Sequence, residues 1–177
     1  MKKTKIINLF GGPSVGKSTT AAGLFHSMKT HHMDVELVTE YAKELVWEGR
    51  ETELLEPDQL YILSQQYKRV SRLQGKVEYV ITDSPLLVSL VYTPKNPHSF
   101  MKQFVYDLWD TFDNISFVLQ RSTAFNEEGR AHTLEQSLAV DNKILEVLDW
   151  GGIHYQFVDV NSTTVDVLLN KILLYHK

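Results

Sequence analysis

The chain contains no cysteine. That excludes a disulfide framework and any zinc site built on thiolates, and it is compatible with a reducing cytoplasm, the location expected here. No apolar run approaches the length of a membrane span, so no membrane partner is expected. There is no basic excess either. A net charge of −4 argues against a surface that lives on nucleic-acid phosphates, so no nucleic-acid polymer is expected as a partner. The seven histidines, including His31-His32, have no metal-ligand spacing. Met1-Lys2-Lys3 looks like the start of a signal peptide, but the apolar run behind it ends at Gly11-Gly12 with no small-residue cleavage site.

What remains is ordinary globular composition, 43% hydrophobic and 23% charged over 177 residues. Repeats, low-complexity tracts and linkers are absent, which predicts one domain over 1–177. Apolar runs at Lys5–Phe10, Val35–Thr39, Val77–Thr82, Ile115–Gln120 and His154–Val158 read as strands. They mostly lack strict alternation, as strands buried on both faces do.

Helical stripes lie between these runs: Leu60, Leu63, Tyr67, Val70 and Leu73; Leu134, Leu138, Leu145 and Leu148; and Val165, Leu168, Leu169, Ile172 and Leu173 behind a Ser162-Thr163 cap. Shorter helices fit Lys17–Thr30, Glu40–Trp47 and Ser99–Thr111. Strand and helix alternate throughout, so a doubly wound α/β layer is expected. Thr93–Pro97 and the polar, glycine-containing Ser122–His132 read as loops. Trp47, Trp109 and Trp150 read as core or rim.

The most informative segment is Gly11-Gly12-Pro13-Ser14-Val15-Gly16-Lys17-Ser18, which follows an apolar strand and opens a helix. In that context Gly-x-x-x-x-Gly-Lys-Ser is a phosphate-binding loop, or P-loop. Its glycines admit backbone conformations that side chains forbid. Amides of Gly12–Thr19 can then converge on the phosphates of ATP at the helix N-terminus. Lys17 supplies charge at the β/γ bridge, and Ser18 a hydroxyl to Mg²⁺.

The third strand ends in Asp83, at the sheet edge where α/β folds bind ligands. Asp83 can hold Mg²⁺ directly or through water, or it can cap a helix that begins at Ser84-Pro85. Past the second strand, Glu40 can accept a proton from a substrate hydroxyl or bind it, and Tyr41 can stack on a ring. Glu44, four residues on, shares the face of Glu40, and both also suit an exposed helix start. Arg121 after the fourth strand and Arg130 in the following loop can stabilise charge on a transferring group, or be solvated loop charges. Gln65 or Gln66 can read a base or an amide, or simply be exposed.

Taken together, Gly11–Thr19, Thr39-Glu40-Tyr41-Ala42-Lys43-Glu44, Ser64-Gln65-Gln66-Tyr67, Val80–Asp83 and Asn126-Glu127-Glu128-Gly129-Arg130 make the chain resemble a known group. It is similar to small P-loop kinases related to the ribosylnicotinamide kinase domain of the bifunctional bacterial NAD-biosynthesis protein. Small relatives of this kind look common in large tailed phages. The resemblance implies a nucleotide-kinase-like parallel five-stranded sheet flanked by helices, ATP and Mg²⁺ as cofactors, and phosphoryl transfer to a small nucleoside-like acceptor. It places acceptor-binding groups at Glu40, Tyr41 and Gln65, and lid charge at Arg130 in a loop over about 122–132. Lys43 stands where that group often has arginine, and Glu127-Glu128 replaces the usual aspartate pair.

Two other readings compete. A nucleoside monophosphate kinase needs cations for the acceptor phosphate, and Arg50, Arg69 and Arg72 are available outside any recognisable motif. The other is a non-kinase nucleotide-binding ATPase or sensor, GTPase-like or regulatory, and against its guanine-specific form the chain has Gln120-Arg121-Ser122-Thr123 after the fourth strand where an Asn-Lys-x-Asp motif would stand.

Overall fold

A computed structural model describes residues 3–50, 59–93, 99–121 and 133–175. The five expected strands form, with slightly different ends: β1 Lys5–Phe10, β2 Val35–Val38, β3 Tyr79–Thr82, β4 Asp113–Arg121 and β5 Gln156–Val160. They make one five-stranded sheet in the order β2-β3-β1-β4-β5, and every neighbouring pair is parallel. Around it lie α1 Lys17–Thr30, α2 Tyr41–Trp47, α3 Gln59–Ser71, α4 Val88–Tyr92, α5 Ser99–Trp109, α6 Leu134–Trp150 and α7 Thr164–Leu174.

β1 shows why the strands read as continuous apolar runs. Ile7 and Leu9 pack with Leu24 and Met28 of α1 and Leu168 and Ile172 of α7. Ile6 and Phe10, pointing the other way, pack with Leu63 and Val70 of α3, Val105 and Trp109 of α5, and Ile144 and Leu148 of α6. A parallel strand covered by helices on both faces needs apolar residues at both parities.

Two helical faces and one helix cap differ from the expected ones. On α3 the buried face is Gln59, Leu63, Gln66 and Val70, whereas Leu60 is exposed. On α6, Leu134 and Leu138 are exposed and Ser137 is wholly buried beside Ile144 and Leu148. The first turns of α6 lie on the backbone of the P-loop, and a small polar side chain fits there where leucine does not. At α7 neither Ser162 nor Thr163 caps through its side chain. Asn161 does the work instead, its Oδ1 accepting the Thr163 N–H at 2.8 Å while Thr164 Oγ1 accepts the Asn161 N–H at 2.7 Å. Of the tryptophans, Trp109 is core, whereas Trp47 and Trp150 are exposed. Among the described residues no helix is long and apolar enough to cross a membrane.

Candidate active site

The strand order places a topological switch point at β1. The chain leaves β1 for α1 on one face of the sheet and leaves β3 for α4 on the other. A crevice opens beyond the carboxyl ends of these strands, where ligands of open α/β sheets bind. In-register pairing sets Val38 and Asn8 beside Thr82, so Thr39-Glu40, Asp83 and the P-loop share this edge.

The loop turns through left-handed backbone at Ser14 (φ 65°) and Gly16 (φ 100°). Val15 is buried and pins the loop to the α1–α7 side of the core. Gly16 occupies the N-cap of α1, and no side chain caps that helix. The first-turn amides, which have no partner within a helix, therefore open on the loop as an anion site. Lys17 Nζ donates to the carbonyls of Gly11 at 2.8 Å and Gly12 at 3.1 Å, which holds its ammonium inside the loop. Burial lowers the Lys17 pKa and the nearby Arg121 charge adds to that, while Glu40, Asp83 and Asp141 oppose it.

Ser18 Oγ donates to Asp83 Oδ2 at 2.6 Å. Asp83 is buried, and its other oxygen, Oδ1, has no hydrogen-bond partner among the described residues. Asp83 does not cap α4, whose N-cap is Leu87, four residues later. A hydroxyl and a carboxylate with an orphaned buried oxygen fit a hard, oxygen-seeking cation such as Mg²⁺. Asp83→Asn is therefore expected to raise the Mg²⁺ requirement of turnover much more than it weakens nucleotide binding. Titrating Mg²⁺ against rate checks this, and an unchanged requirement at normal rate rules the metal role out.

Glu40 lies at the N-cap of α2 but makes no capping bond. No hydrogen bond engages its carboxylate among the described residues. Burial raises its pKa and the Asp83 charge adds to the rise, while Lys17 and Lys43 counteract it. Glu44, in contrast, is held below its ordinary range by a two-pronged pair with Arg69. Tyr41 is buried, with the Arg69 guanidinium 4.9 Å over its ring and its hydroxyl 2.9 Å from that of Tyr61.

Of the two glutamines, Gln66 is buried. Its Oε1 accepts the Tyr41 N–H at 3.1 Å, and its Nε2 donates to the Thr39 carbonyl at 3.3 Å and to Thr82 Oγ1 at 3.4 Å. Gln65 is half-buried and makes no hydrogen bond among the described residues.

Arg121 reaches the P-loop from the end of β4. Nη2 donates to the Pro13 carbonyl at 2.8 Å, and the guanidinium pairs with Asp141 and Ser137 of α6. Asp141 and Ser137 belong to no sequence motif, so only their contacts mark them. Tyr92, at the end of α4, is 48% exposed, and its phenol pKa is pushed up to about 12 by partial desolvation and by the charges of Glu40 and Asp141. Arg130 and the 122–132 loop lie outside the described residues.

The chain belongs to the AAA domain family, whose model matches residues 6–167. Its fold is that of the nucleotide-kinase P-loop NTPases. Thymidylate kinase from Ehrlichia chaffeensis superimposes with a TM-score of 0.62 at 12% identity, covering 99% of this chain and 100% of that one. NadR protein, solved in complex with NR, gives 0.68 at 20% identity and covers 90% of this chain. This chain spans 44% of that NadR chain. Deoxyadenosine kinase from M. mycoides, solved with the products dCMP and dCDP, gives 0.56 at 16% identity over 96% and 99% of the two chains. None of the curated protein sequences is significantly similar to this one.

Proposed function

We propose that this protein is an ATP- and Mg²⁺-dependent kinase that phosphorylates a hydroxyl of a small nucleoside-like acceptor. The observation that carries this reading is the pairing of Lys17 and Glu40 across one crevice. The lysine sits in a phosphate loop, and opposite it stands a desolvated carboxylate with no hydrogen-bond partner among the described residues. A protein that only binds nucleotide gains nothing from a partly desolvated acid beside its phosphate loop, since such a group costs stability.

The loop amides and Lys17 hold the triphosphate. Ser18 and Asp83 would hold Mg²⁺, which neutralises phosphate charge. Glu40 receives the acceptor hydroxyl and orients its oxygen towards the γ-phosphorus. As the new O–P bond forms, the bond from that phosphorus to the β–γ bridging oxygen breaks, and ADP departs with the electron pair. The acceptor's proton passes to the Glu40 carboxylate. The transition state is loose, so alignment contributes more than early deprotonation. Tyr41 and Gln65 belong to the acceptor side, and Arg130 supplies charge to the transferring group.

The acceptor itself carries no phosphate in this reading. Arg69, the arginine of α3, is already committed to Glu44 and Tyr41. Its commitment weakens the monophosphate-kinase alternative. Nicotinamide riboside remains a candidate through the sequence resemblance, and a deoxynucleoside through the likeness to deoxyadenosine kinase.

Incubation with ATP, Mg²⁺ and a panel of nucleosides, nucleoside monophosphates and nicotinamide riboside tests the proposal, with products read by mass. A gain of one phosphoryl group on an unphosphorylated member is the expected result. Phosphorylation of monophosphates alone selects the alternative, and ATP binding with no product from any member moves the reading to a sensor. Arg130→Ala is expected to lower turnover while leaving the melting temperature unchanged, because a group that meets charge only in the transition state acts on rate. Equal rates for the two proteins would remove Arg130 from the mechanism.

A further inference from the structure

We infer that Asp141 and Ser137 on α6 are positioning residues for nucleotide binding: through Arg121 and the Gly12–Pro13 peptide they hold the P-loop in its phosphate-accepting shape. This rests on the reading of that loop as an ATP site.

The polar groups of the loop's outer wall are all engaged. The Gly12 N–H donates to Asp141 Oδ1 at 2.5 Å. The Pro13 carbonyl accepts Arg121 Nη2 at 2.8 Å and Ser137 Oγ at 2.6 Å. Asp141 and Ser137 also pair with the Arg121 guanidinium, so one cation, one carboxylate, one hydroxyl and two loop residues form a closed cluster. Ser137 is 0% exposed, and the Arg121 and Asp141 side chains are 13% and 23% exposed, which makes water a poor substitute for these partners.

Gly12 supplies a second, independent observation. The P-loop pattern requires glycine at 11 and 16 but not at 12. Here a Cβ at residue 12 would stand 2.5 Å from the Ser137 carbonyl oxygen and 2.8 Å from Asp141 Oδ1. The first of these is helix backbone and cannot swing aside. Residue 12 is therefore glycine because α6 is seated directly on the loop, at the two turns that carry Ser137 and Asp141.

The inner wall is held differently, by Lys17 on the Gly11 and Gly12 carbonyls. A phosphate can draw the Lys17 ammonium towards itself, and the loop then keeps its shape only if the outer wall is fixed. Organising the site before the ligand arrives lowers the cost of binding. On this account Asp141 influences nucleotide affinity without touching the nucleotide.

The test is a double-mutant cycle on nucleotide affinity. A fluorescent ATP analogue is titrated into wild type, Asp141→Ala, Arg121→Ala and the double variant, well below every melting temperature. Each single variant is expected to bind about tenfold more weakly, and the double no more weakly than the worse single, since coupled residues are not additive. Ser137→Ala and Asp141→Asn, which alter the cluster more gently, are expected to lie between wild type and Asp141→Ala, and they carry the test if Asp141→Ala fails to fold. Variants that melt lower but bind the analogue as wild type does would overturn the inference, as would losses that simply add. Wild type that fails to bind any analogue would instead sink the ATP reading itself, and this inference with it.

Discussion

Lys17→Ala is expected to lower phosphoryl transfer by about 10³-fold or more while its melting temperature stays within a few degrees of wild type. The lysine's charge is aimed at phosphates, and the loop offers no second cation at that point. Its structural contribution is small because two effects oppose each other. Its bonds to the Gly11 and Gly12 carbonyls stabilise the fold, and charge-assisted bonds are worth about 1.5–3 kcal/mol. Drawing an ammonium out of water costs several kcal/mol in return, and the lowered pKa of Lys17 expresses that cost.

The sign can be followed with pH. A lysine whose pKa is lower folded than unfolded is a burden while protonated, and the burden lifts as pH rises from the folded value towards the unfolded one. Any stability that Lys17→Ala gains over wild type should therefore shrink as pH rises towards the ordinary lysine value. Thermal melts across that range, beside a rate assay, check both statements. A variant that unfolds would show Lys17 to be structural, and one that turns over normally would end the P-loop mechanism.

The second large effect is expected at Glu40. Glu40→Gln should bind ATP as wild type does and lose about 10²–10⁴-fold in acceptor phosphorylation, the range of a positioned acid–base group. It should also be more stable than wild type at neutral pH. A carboxyl whose pKa is higher folded than unfolded contributes its full share of stability below the unfolded value, and that share is lost as pH rises through the folded value. The stability advantage of the glutamine variant should thus shrink as pH falls towards the ordinary glutamate range. Wild-type activity should lose ground over the same interval as Glu40 takes up its proton, and the variant's residual activity should not. ATP affinity, product formation and melting temperature on one preparation decide the matter. Full activity with an acceptor identified by mass would remove Glu40 from the site.

The phosphate loop and Asp83 were legible in the sequence because each is a local pattern. The loop is a contiguous string, and Asp83 is the first polar residue after an apolar strand. The parallel sheet was legible for a similar reason, since burial on both faces leaves its mark on the central strands β1, β3 and β4. What escaped was helix facing where a helix meets backbone and not side chains. Ser137, Asp141, Ile144 and Leu148 follow steps of four, three and four, a proper helical stripe with polar residues in its first half. The leucines of α6 drew attention away from it, since polar residues in a buried stripe register only once their partners are known. Gln66 was obscured in the same way by its neighbour Gln65, although its spacing from Leu63 and Val70 sets it on the inner face of α3.

Gln66 has a mechanical consequence. One side-chain amide joins the first N–H of α2, the carbonyl ahead of Glu40 and the hydroxyl at the end of β3. The carboxylate proposed to meet the acceptor and the carboxylate proposed to hold the metal are thus anchored on the same few atoms. Their separation behaves as a fixed gauge, cut by the sheet and its third helix. Any adjustment to an acceptor of different size has to be made by the acceptor's own pose or by elements beyond this anchor, because α2 cannot tilt away from β3 without breaking the bonds of a buried amide.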